Sequence, residues 1–244
     1  MRFLINSSLL LSTPMQVIYE DNHIIIVNKA PGEIVQGDKT GDKPLSELVK
    51  DYIKEKYQKP GNVFLGVTHR LDRPVSGLVV FARTSKALPR INQLFSQGQV
   101  AKTYLAIVAN KPKQPQGEII SWITRNERLN KSFVSPTQTP QAKQARLRYR
   151  LIASATNYHL LAVRLFTGRH HQIRCQLASI GCPIKGDLKY GAPRSNPDAS
   201  ISLHSWRIEF EHPVSHNHIN LTAPCPNTTL WDVLTKDLDP NLTV

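Results

Sequence analysis

The chain has few cysteines, few acidic residues and no long apolar run. Its three cysteines show no CxxC spacing, so neither a disulfide framework nor a zinc site is predicted, and a reducing cytoplasm is expected. No apolar run approaches the roughly eighteen residues of a membrane-spanning helix, and no basic amphipathic helix stands out. We therefore expect a cytoplasmic protein without membrane contact.

Positive charge is what the chain has in excess. Lysine and arginine total 31 against 18 for aspartate and glutamate, which gives a net charge of +13. Residues 101–150, here named the basic stretch, hold ten basic side chains but only Glu118 and Glu127 as acids. Charge alone does not establish nucleic-acid binding, but basic residues spread along strands and loops suit a phosphate backbone.

Hydrophobic patterning predicts a mixed α+β domain with a largely antiparallel sheet. We expect one domain at residues 15–244, preceded by a loosely ordered extension at residues 1–14. Predicted strands are 16–20, 24–27, 63–68, 78–81, 103–108, 119–123, 145–152, 159–165 and 203–210. Predicted helices are 44–57, a second that begins after an N-cap at Ser85 and ends at Gly98, 170–180, and 228–234.

Two polar segments could carry chemistry. The first runs His69-Arg70-Leu71-Asp72-Arg73-Pro74-Val75-Ser76-Gly77, a loop between two apolar strands that crowds charge around one carboxylate. Loops on rigid strands are favoured positions for catalytic groups. The alternative is that Asp72 forms an ordinary surface ion pair with Arg70 or Arg73, worth about 0–1 kcal/mol.

The second polar segment passes from a strand into a helix and runs Thr167-Gly168-Arg169-His170-His171-Gln172-Ile173-Arg174. The N-termini of helices bind anions readily. A metal site is disfavoured here, because adjacent His170 and His171 should point in different directions on a helix and no carboxylate lies nearby in the sequence.

These segments resemble the motifs of RluA-family RNA pseudouridine synthases. His69-Arg70-Leu71-Asp72 followed by Ser76-Gly77 is similar to the active-site signature of that family. The other similar blocks are Lys29-Ala30-Pro31-Gly32, Lys102-Thr103-Tyr104-Leu105-Ala106, Gly168-Arg169-His170-His171-Gln172-Ile173-Arg174, Gly186-Asp187-Leu188-Lys189-Tyr190-Gly191 and Leu203-His204. Departures at Val75, Ala30 and Gln36 do not touch the carboxylate. The blocks follow the family order over most of the chain.

The resemblance implies a long, bent, mostly antiparallel mixed sheet flanked by helices, with a central cleft. It also implies that Asp72 engages a uridine, the C1′–N1 bond breaks, the uracil turns, and C5 rejoins C1′. No cofactor and no metal are expected, which agrees with the lack of nucleotide- or metal-binding motifs.

By the same resemblance, Arg174 pairs with Asp72, Tyr104 stacks on the target base and assists removal of the C5 proton, and Arg70 enters the space left by the extruded nucleotide. Strand periodicity alone would make Tyr104 a core aromatic. Ile173 and Leu203 could line the apolar part of the uracil pocket, although core packing is the favoured explanation for any single aliphatic residue.

The expected partner is structured RNA, a stem-loop of ribosomal or transfer RNA, bound by a monomer. Only about fifteen residues precede the first strand, so an S4 RNA-binding module is not expected, and the domain itself should supply the affinity. Candidate RNA contacts are Lys102, Arg125, Arg128, Lys131 and Arg169.

Two other functions remain open from the sequence. The first is an RNA-binding protein that has kept the fold without the chemistry. The second is a glycosidic-bond hydrolase, which would need a second carboxylate. Asp187 is the one candidate for that carboxylate, and a position beside Gly186 is more typical of a turn residue.

Overall fold

A computed structural model describes residues 15–244, and the extension predicted for residues 1–14 lies outside this range. The described residues form an open sheet of eleven strands with four helices. The strands are β1 Gln16–Glu20, β2 Ile24–Lys29, β3 Gly66–Val67, β4 Ser76–Ala82, β5 Ala101–Val108, β6 Gln116–Asn126, β7 Lys131–Ser135, β8 Lys143–Ser154, β9 His159–Leu165, β10 Leu203–Glu211 and β11 His218–Thr222. The helices are α1 Leu45–Lys56, α2 Ala87–Ser96, α3 Gln172–Ser179 and α4 Thr229–Thr235.

The sheet is mixed but mostly antiparallel, as predicted. Its strand order is β1-β2-β4-β10-β5-β9-β8-β6-β7, while β3 pairs with β4 and β11 pairs with β10. Among the described strands, only β4 and β10 run parallel, over the short register His204 to Ser76 and Ser205 to Gly77. This junction lies near the middle of the sheet, directly after the polar loop that carries Asp72.

Both faces of the central strands are buried. On β2, Ile25 and Val27 belong to the main core, whereas Ile24 and Ile26 belong to a second core on the opposite face. Alternation with a period of two produces this division. Tyr104 belongs to the main core, and this face carries the cavity described below.

A close approach of two backbones requires the glycine at position 77. Gly77 has a φ of +112°, and a Cβ there would lie 2.3 Å from the carbonyl oxygen of Ser205. A larger residue would therefore separate β4 from β10 and displace the adjoining loop.

Several predicted elements are confirmed and others are wrong. The first hairpin, α1 and β9 agree closely with prediction. The strand predicted at 63–68 shrinks to Gly66–Val67, since only these two residues pair with β4, opposite Ala82 and Phe81. Ser85 does not cap α2. Instead, the Thr84 hydroxyl accepts from the N–H of Ala87 (3.1 Å).

Strands β7 and β11 were not predicted, because each has five residues and a weak alternation of apolar side chains. Helix α3 begins two residues later than predicted, since His171 adopts a left-handed conformation with φ of 53°. Within the described part of the chain, no helix combines the length and apolar character needed to cross a bilayer.

Candidate active site

A cavity of about 890 Å³ opens on the main-core face of the sheet. It gathers residues that lie far apart in the sequence. Asp72 and Arg70 come from the loop before β4, Tyr104 from β5, and Arg174 from α3. Ile173 and Leu203 also line the cavity and belong to the core as well.

The loop that carries Asp72 is anchored from several directions. The carbonyl of Arg73 accepts from the N–H of Gly32 (2.8 Å) and from the ammonium group of Lys29 (3.1 Å). The carbonyl of Pro74 accepts from the N–H of Ile201 (3.1 Å). These bonds fix the backbone directly after Asp72, and the N–H of Val75 also donates to the carbonyl of Asp72 itself (3.0 Å).

Residues at the ends of the loop also bury it. Leu71 and Val75 belong to the main core. The imidazole of His69 accepts the N–H of Val80 at Nε2 (3.0 Å) and packs on Phe95. Burial, together with the positive charge of Lys102, lowers the pKa of His69 to about 3, so this imidazole stays neutral and keeps its acceptor nitrogen.

Lys29 is buried beneath the loop with 1% of its surface exposed. Burial lowers the pKa of Lys29 to about 8, although the charges of Glu33 and Asp72 oppose that shift. Its ammonium group also donates to the carbonyl of Ala30 (2.8 Å). The Lys29-Ala30-Pro31-Gly32 block therefore supports the loop of Asp72 and does not line the cavity.

Asp72, Arg174 and Asp187 form one charged chain. Arg174 Nη1 donates to Asp72 Oδ2 at 3.0 Å. Its Nε and Nη2 donate to the two carboxylate oxygens of Asp187 at 2.7 and 2.9 Å. Burial disfavours the charged guanidinium, but the bonds and charge of Asp187 and the charge of Asp72 raise the pKa of Arg174.

The predicted pairing of Arg174 with Asp72 is thus present in the structure, and the surface-pair alternative is wrong. Arg73 pairs instead with Asp42 at the surface. The guanidinium of Arg70 makes no hydrogen bond or ion pair with any residue of the described range, and its side chain faces the cavity exposed to solvent.

The pairing of Asp187 with Arg174 was not predicted from the sequence, where Asp187 was considered only as a hydrolase carboxylate or a turn residue. The expectation of a turn residue is incomplete, because its side chain is buried with 1% of the residue exposed and both oxygens bind Arg174. Arg174 lies in α3, whereas Asp187 lies in a turn beyond the end of that helix. No periodic sequence pattern therefore indicated that the two side chains meet. The available indication was the similarity of the Gly186-Asp187-Leu188-Lys189-Tyr190-Gly191 block to a family motif.

His171 and Tyr190 flank Asp72 on the other side. The Tyr190 hydroxyl accepts from the N–H of Ser132 (2.8 Å) and lies 2.9 Å from His171 Nδ1. His171 Nε2 lies 3.5 Å from Asp72 Oδ2. Burial and the positive charge of Arg174 lower the pKa of His171 to about 2, so the imidazole is neutral.

These contacts favour one tautomer of His171. Burial raises the pKa of Tyr190 to about 12, so its hydroxyl keeps a proton that it can donate to Nδ1. The ring proton then sits on Nε2, where it points toward the carboxylate of Asp72. No role for His171 was predicted from the sequence.

The expectation that His170 and His171 point in different directions is wrong. Both precede the regular turns of α3, and their rings stack with centroids 3.8 Å apart. Ser132 on β7 holds the stack, because its hydroxyl donates to the carbonyl of His170 (2.7 Å) and lies 2.8 Å from His170 Nδ1. Within residues 15–244, no group of three or more His, Cys, Asp or Glu side chains is placed to hold a metal ion.

Tyr104 lines the cavity but is only 7% exposed. Its strand register places it opposite Ser205 of β10 and Val163 of β9. Burial, reinforced by the negative charge of Asp72, raises the pKa of Tyr104 to about 12. The phenol is therefore un-ionised at neutral pH, and its hydroxyl can donate or accept a hydrogen bond.

The candidate RNA contacts divide into two groups. Lys102, Arg125 and Arg169 line the cavity, whereas Arg128 and Lys131 do not. Burial and the charge of Arg164 lower the pKa of Lys102. Part of the basic stretch is neutralised internally, because Arg146 and Arg148 both bind Glu118.

Comparisons with known proteins show which family the chain resembles. A sequence model described as RNA pseudouridylate synthase matches residues 23–179. The chain is 32% identical to ribosomal large subunit pseudouridine synthase D of Nitrosomonas europaea over 88% of the chain and 63% of that protein. It is also 32% identical to ribosomal large subunit pseudouridine synthase C of Rickettsia bellii, over 88% of the chain and 70% of that protein.

The chain thus spans about two thirds of the length of these relatives. The fold matches a solved structure of human RNA Pseudouridylate Synthase Domain Containing 4, with a TM-score of 0.77 and 22% identity over 90% of this chain and 92% of that one. The family match includes the loop of Asp72, Tyr104 and Arg174. The chain belongs to the RNA pseudouridylate synthase family, among its RluA-type members.

Proposed function

We propose that this protein is an RNA pseudouridine synthase that isomerises specific uridines in ribosomal RNA, with Asp72 as its essential carboxylate. The observation that carries this proposal is the rigid chain Asp72–Arg174–Asp187 at the floor of a cationic cavity. Membership of the family and the names of the relatives support the reaction and the RNA class.

Asp72 is suited to engage C1′ of the target nucleotide. One of its oxygens, Oδ2, faces both Arg174 and His171, and the side chain keeps 30% of its surface exposed to the cavity. Arg174 and the Nε2 proton of His171 would stabilise the carboxylate charge and leave Oδ1 free to approach the sugar. In this mechanism the C1′–N1 bond breaks while Asp72 stabilises or bonds the electron-deficient C1′.

The uracil then turns and C5 bonds to C1′. The reaction is an isomerisation, because C5 loses one proton and N1 gains one. The composition of the RNA therefore does not change. No cofactor is required for this exchange. We assign Tyr104 to the face of the base. There its neutral hydroxyl can accept the proton of C5 while it donates its own proton to a neighbouring acceptor.

Arg70 is suited to the step before chemistry. The glycosidic bond of a stacked nucleotide is shielded, so the target must leave the helical stack. The guanidinium of Arg70 is exposed at the cavity, and none of the residues 15–244 binds it. It can therefore fill the space that the extruded nucleotide vacates.

The hydrolase alternative is disfavoured by the state of Asp187. Both oxygens of this carboxylate bind Arg174, and the residue is 1% exposed. It can neither reach a substrate nor exchange protons with one, so the two carboxylates that glycoside hydrolysis normally uses are lacking among the described residues of the cavity.

We further propose that the substrate is a folded stem-loop in large-subunit ribosomal RNA, bound by a monomer in the cytoplasm. The named relatives favour ribosomal over transfer RNA. The cationic cavity lining of Lys102, Arg125 and Arg169 supplies the phosphate contacts. The three cysteines are free thiols, which accords with a reducing compartment.

Mapping pseudouridine by chemical derivatisation tests this function. Total RNA from cells that lack the gene is compared with RNA from cells complemented with wild type or Asp72→Asn. We expect one or a few sites that disappear on deletion, return with wild type and stay absent with Asp72→Asn. Maps that never differ would favour the RNA-binding protein without catalysis.

A further inference from the structure

An exposed aromatic ring lies at the rim of the cavity. Phe166 follows β9 directly, lines the cavity and keeps 39% of its surface exposed. Its backbone N–H donates to the carbonyl of Arg146 (3.1 Å), which fixes the residue to the start of β8. Exposed aromatic side chains also occur elsewhere on the surface, but Phe166 combines exposure with a place in the lining of a cationic cavity.

Two guanidinium groups support the ring. Arg146 lies 4.6 Å and Arg148 lies 5.5 Å from its centroid. The two arginines are two positions apart on β8, so they leave the same face of the sheet. Each donates from Nε to the same oxygen of Glu118, at 3.0 and 2.9 Å. We name Phe166, Arg146, Arg148 and Glu118 the Phe166 platform.

The platform carries a positive charge of one. Glu118 neutralises one arginine and fixes the orientation of both, while the second positive charge remains for a polyanion. With both arginines against its ring, Phe166 still keeps 39% of its surface exposed and is one of the residues that line the cavity. A flat, apolar ring backed by cations is the surface on which nucleic-acid bases stack.

We propose that Phe166 is a stacking platform for an unpaired nucleobase that neighbours the target uridine in the RNA. This inference rests on the proposed function, because the cavity is taken to hold the target nucleotide. RNA that places one nucleotide over Asp72 must pass across the cavity rim, and Phe166 is the exposed aromatic residue there. The stacked base would hold the loop of the RNA open while the target is extruded.

Stacking of this kind tolerates any base, since every base has an aromatic face. The platform therefore selects for an unstacked loop and not for a particular nucleotide. It should stabilise the bound substrate and the transition state alike, so its loss should raise KM and leave kcat nearly unchanged. A raised KM with an unchanged kcat distinguishes a binding platform from a group that takes part in the chemistry.

Kinetics of Phe166→Ala, Phe166→Trp and a matched control provide the first test. The control is Phe64→Ala, since Phe64 is similarly exposed at 45% but does not line the cavity. The substrate is an unmodified transcript of large-subunit ribosomal RNA. We expect Phe166→Ala to raise KM by about 5- to 100-fold, with tryptophan restoring the wild-type value and Phe64→Ala matching wild type.

A spectroscopic measurement gives a second readout that a merely structural role would not change. A synthetic stem-loop around the mapped uridine carries 2-aminopurine at the position 5′ or 3′ of the target, and stacking on an aromatic ring quenches its fluorescence. We expect wild type and Phe166→Trp to quench the probe at one of the two positions and Phe166→Ala not to do so at either.

The outcomes separate this inference from the proposed function. If wild type forms no pseudouridine in any RNA, the function itself fails. If wild type is active and Phe166→Ala keeps the wild-type KM and quenching, Phe166 does not stack on RNA. A change in oligomeric state without a change in KM would assign the ring to contact with a second copy and would overturn the inference.

Discussion

Replacing Asp187 with asparagine removes the charge that holds Arg174 against Asp72. The carboxylate binds Nε and Nη2 of Arg174 at 2.7 and 2.9 Å, while Nη1 binds Asp72 at 3.0 Å. Both Asp187 and Arg174 are buried. Removing one partner of a buried ion pair typically costs about 3–5 kcal/mol, because it leaves the other charge uncompensated.

Asparagine keeps one acceptor oxygen and the shape of the side chain, so we expect a loss near 3 kcal/mol in the free energy of unfolding. Arg174 keeps Asp72 as its partner but loses the two bonds that orient its plane. A displacement of the Asp72 carboxylate by about 1 Å can lower the rate about 100-fold. We therefore expect kcat to fall by about 10- to 100-fold, with KM changed much less.

Urea unfolding and single-turnover kinetics on the RNA substrate measure the two effects. The matched control is Asp42→Asn, which breaks the exposed ion pair with Arg73 beside the same loop and should cost about 0–1 kcal/mol. A folded Asp187→Asn protein with wild-type kcat would refute the view that Asp187 positions the catalytic pair.

Three further predictions concern the support of the site. Between pH 7 and pH 5 we expect the free energy of unfolding, measured by urea titration, to fall by about 4 kcal/mol. The reason is that burial lowers the pKa of His69 to about 3 and that of His204 to about 4. Each folded-state pKa lies below the unfolded value, so stability is lost as the pH falls below about 6.5, by about 2 kcal/mol per imidazole at pH 5. Equal values at the two pH values would contradict this. Gly77→Ala should lose at least about 3 kcal/mol, since its Cβ would meet the backbone of Ser205, and a wild-type melting temperature would disprove the close approach. Tyr104→Phe should lower kcat by about 100-fold or more while RNA affinity stays within about threefold, because the phenyl ring still contacts the base but cannot accept a proton, and an unchanged kcat would remove the hydroxyl from the chemistry.

The fold was predictable where the sequence has a clear period. The alternation in β1 and β9 and the helical spacing in α1 follow directly from side-chain burial. The two-residue strand β3 and the short strands β7 and β11 depend on pairing with distant segments, which no local pattern records. The left-handed conformation of His171, which delays the start of α3, was not predicted from a local pattern either.

The sequence motifs predicted which residues gather at the site, but not all of the contacts between them. The motifs placed Asp72, Tyr104 and Arg174 together, and all three line the cavity. The role of Asp187 escaped sequence analysis because its charge is used inside the protein. Strand β7 was missed, and with it the contribution of Ser132, which holds both His170 and the Tyr190 hydroxyl.

The most direct test of the central claim is tritium release from RNA labelled at C5 of uridine. Purified wild type and Asp72→Asn are each incubated with unmodified large-subunit ribosomal RNA, and the mass of the RNA is measured before and after. We expect wild type to release the tritium of one or a few uridines per RNA, with no change in RNA mass other than the replacement of tritium by hydrogen, and Asp72→Asn to release none. Release by Asp72→Asn at the wild-type rate, or loss of uracil from the RNA, would contradict it.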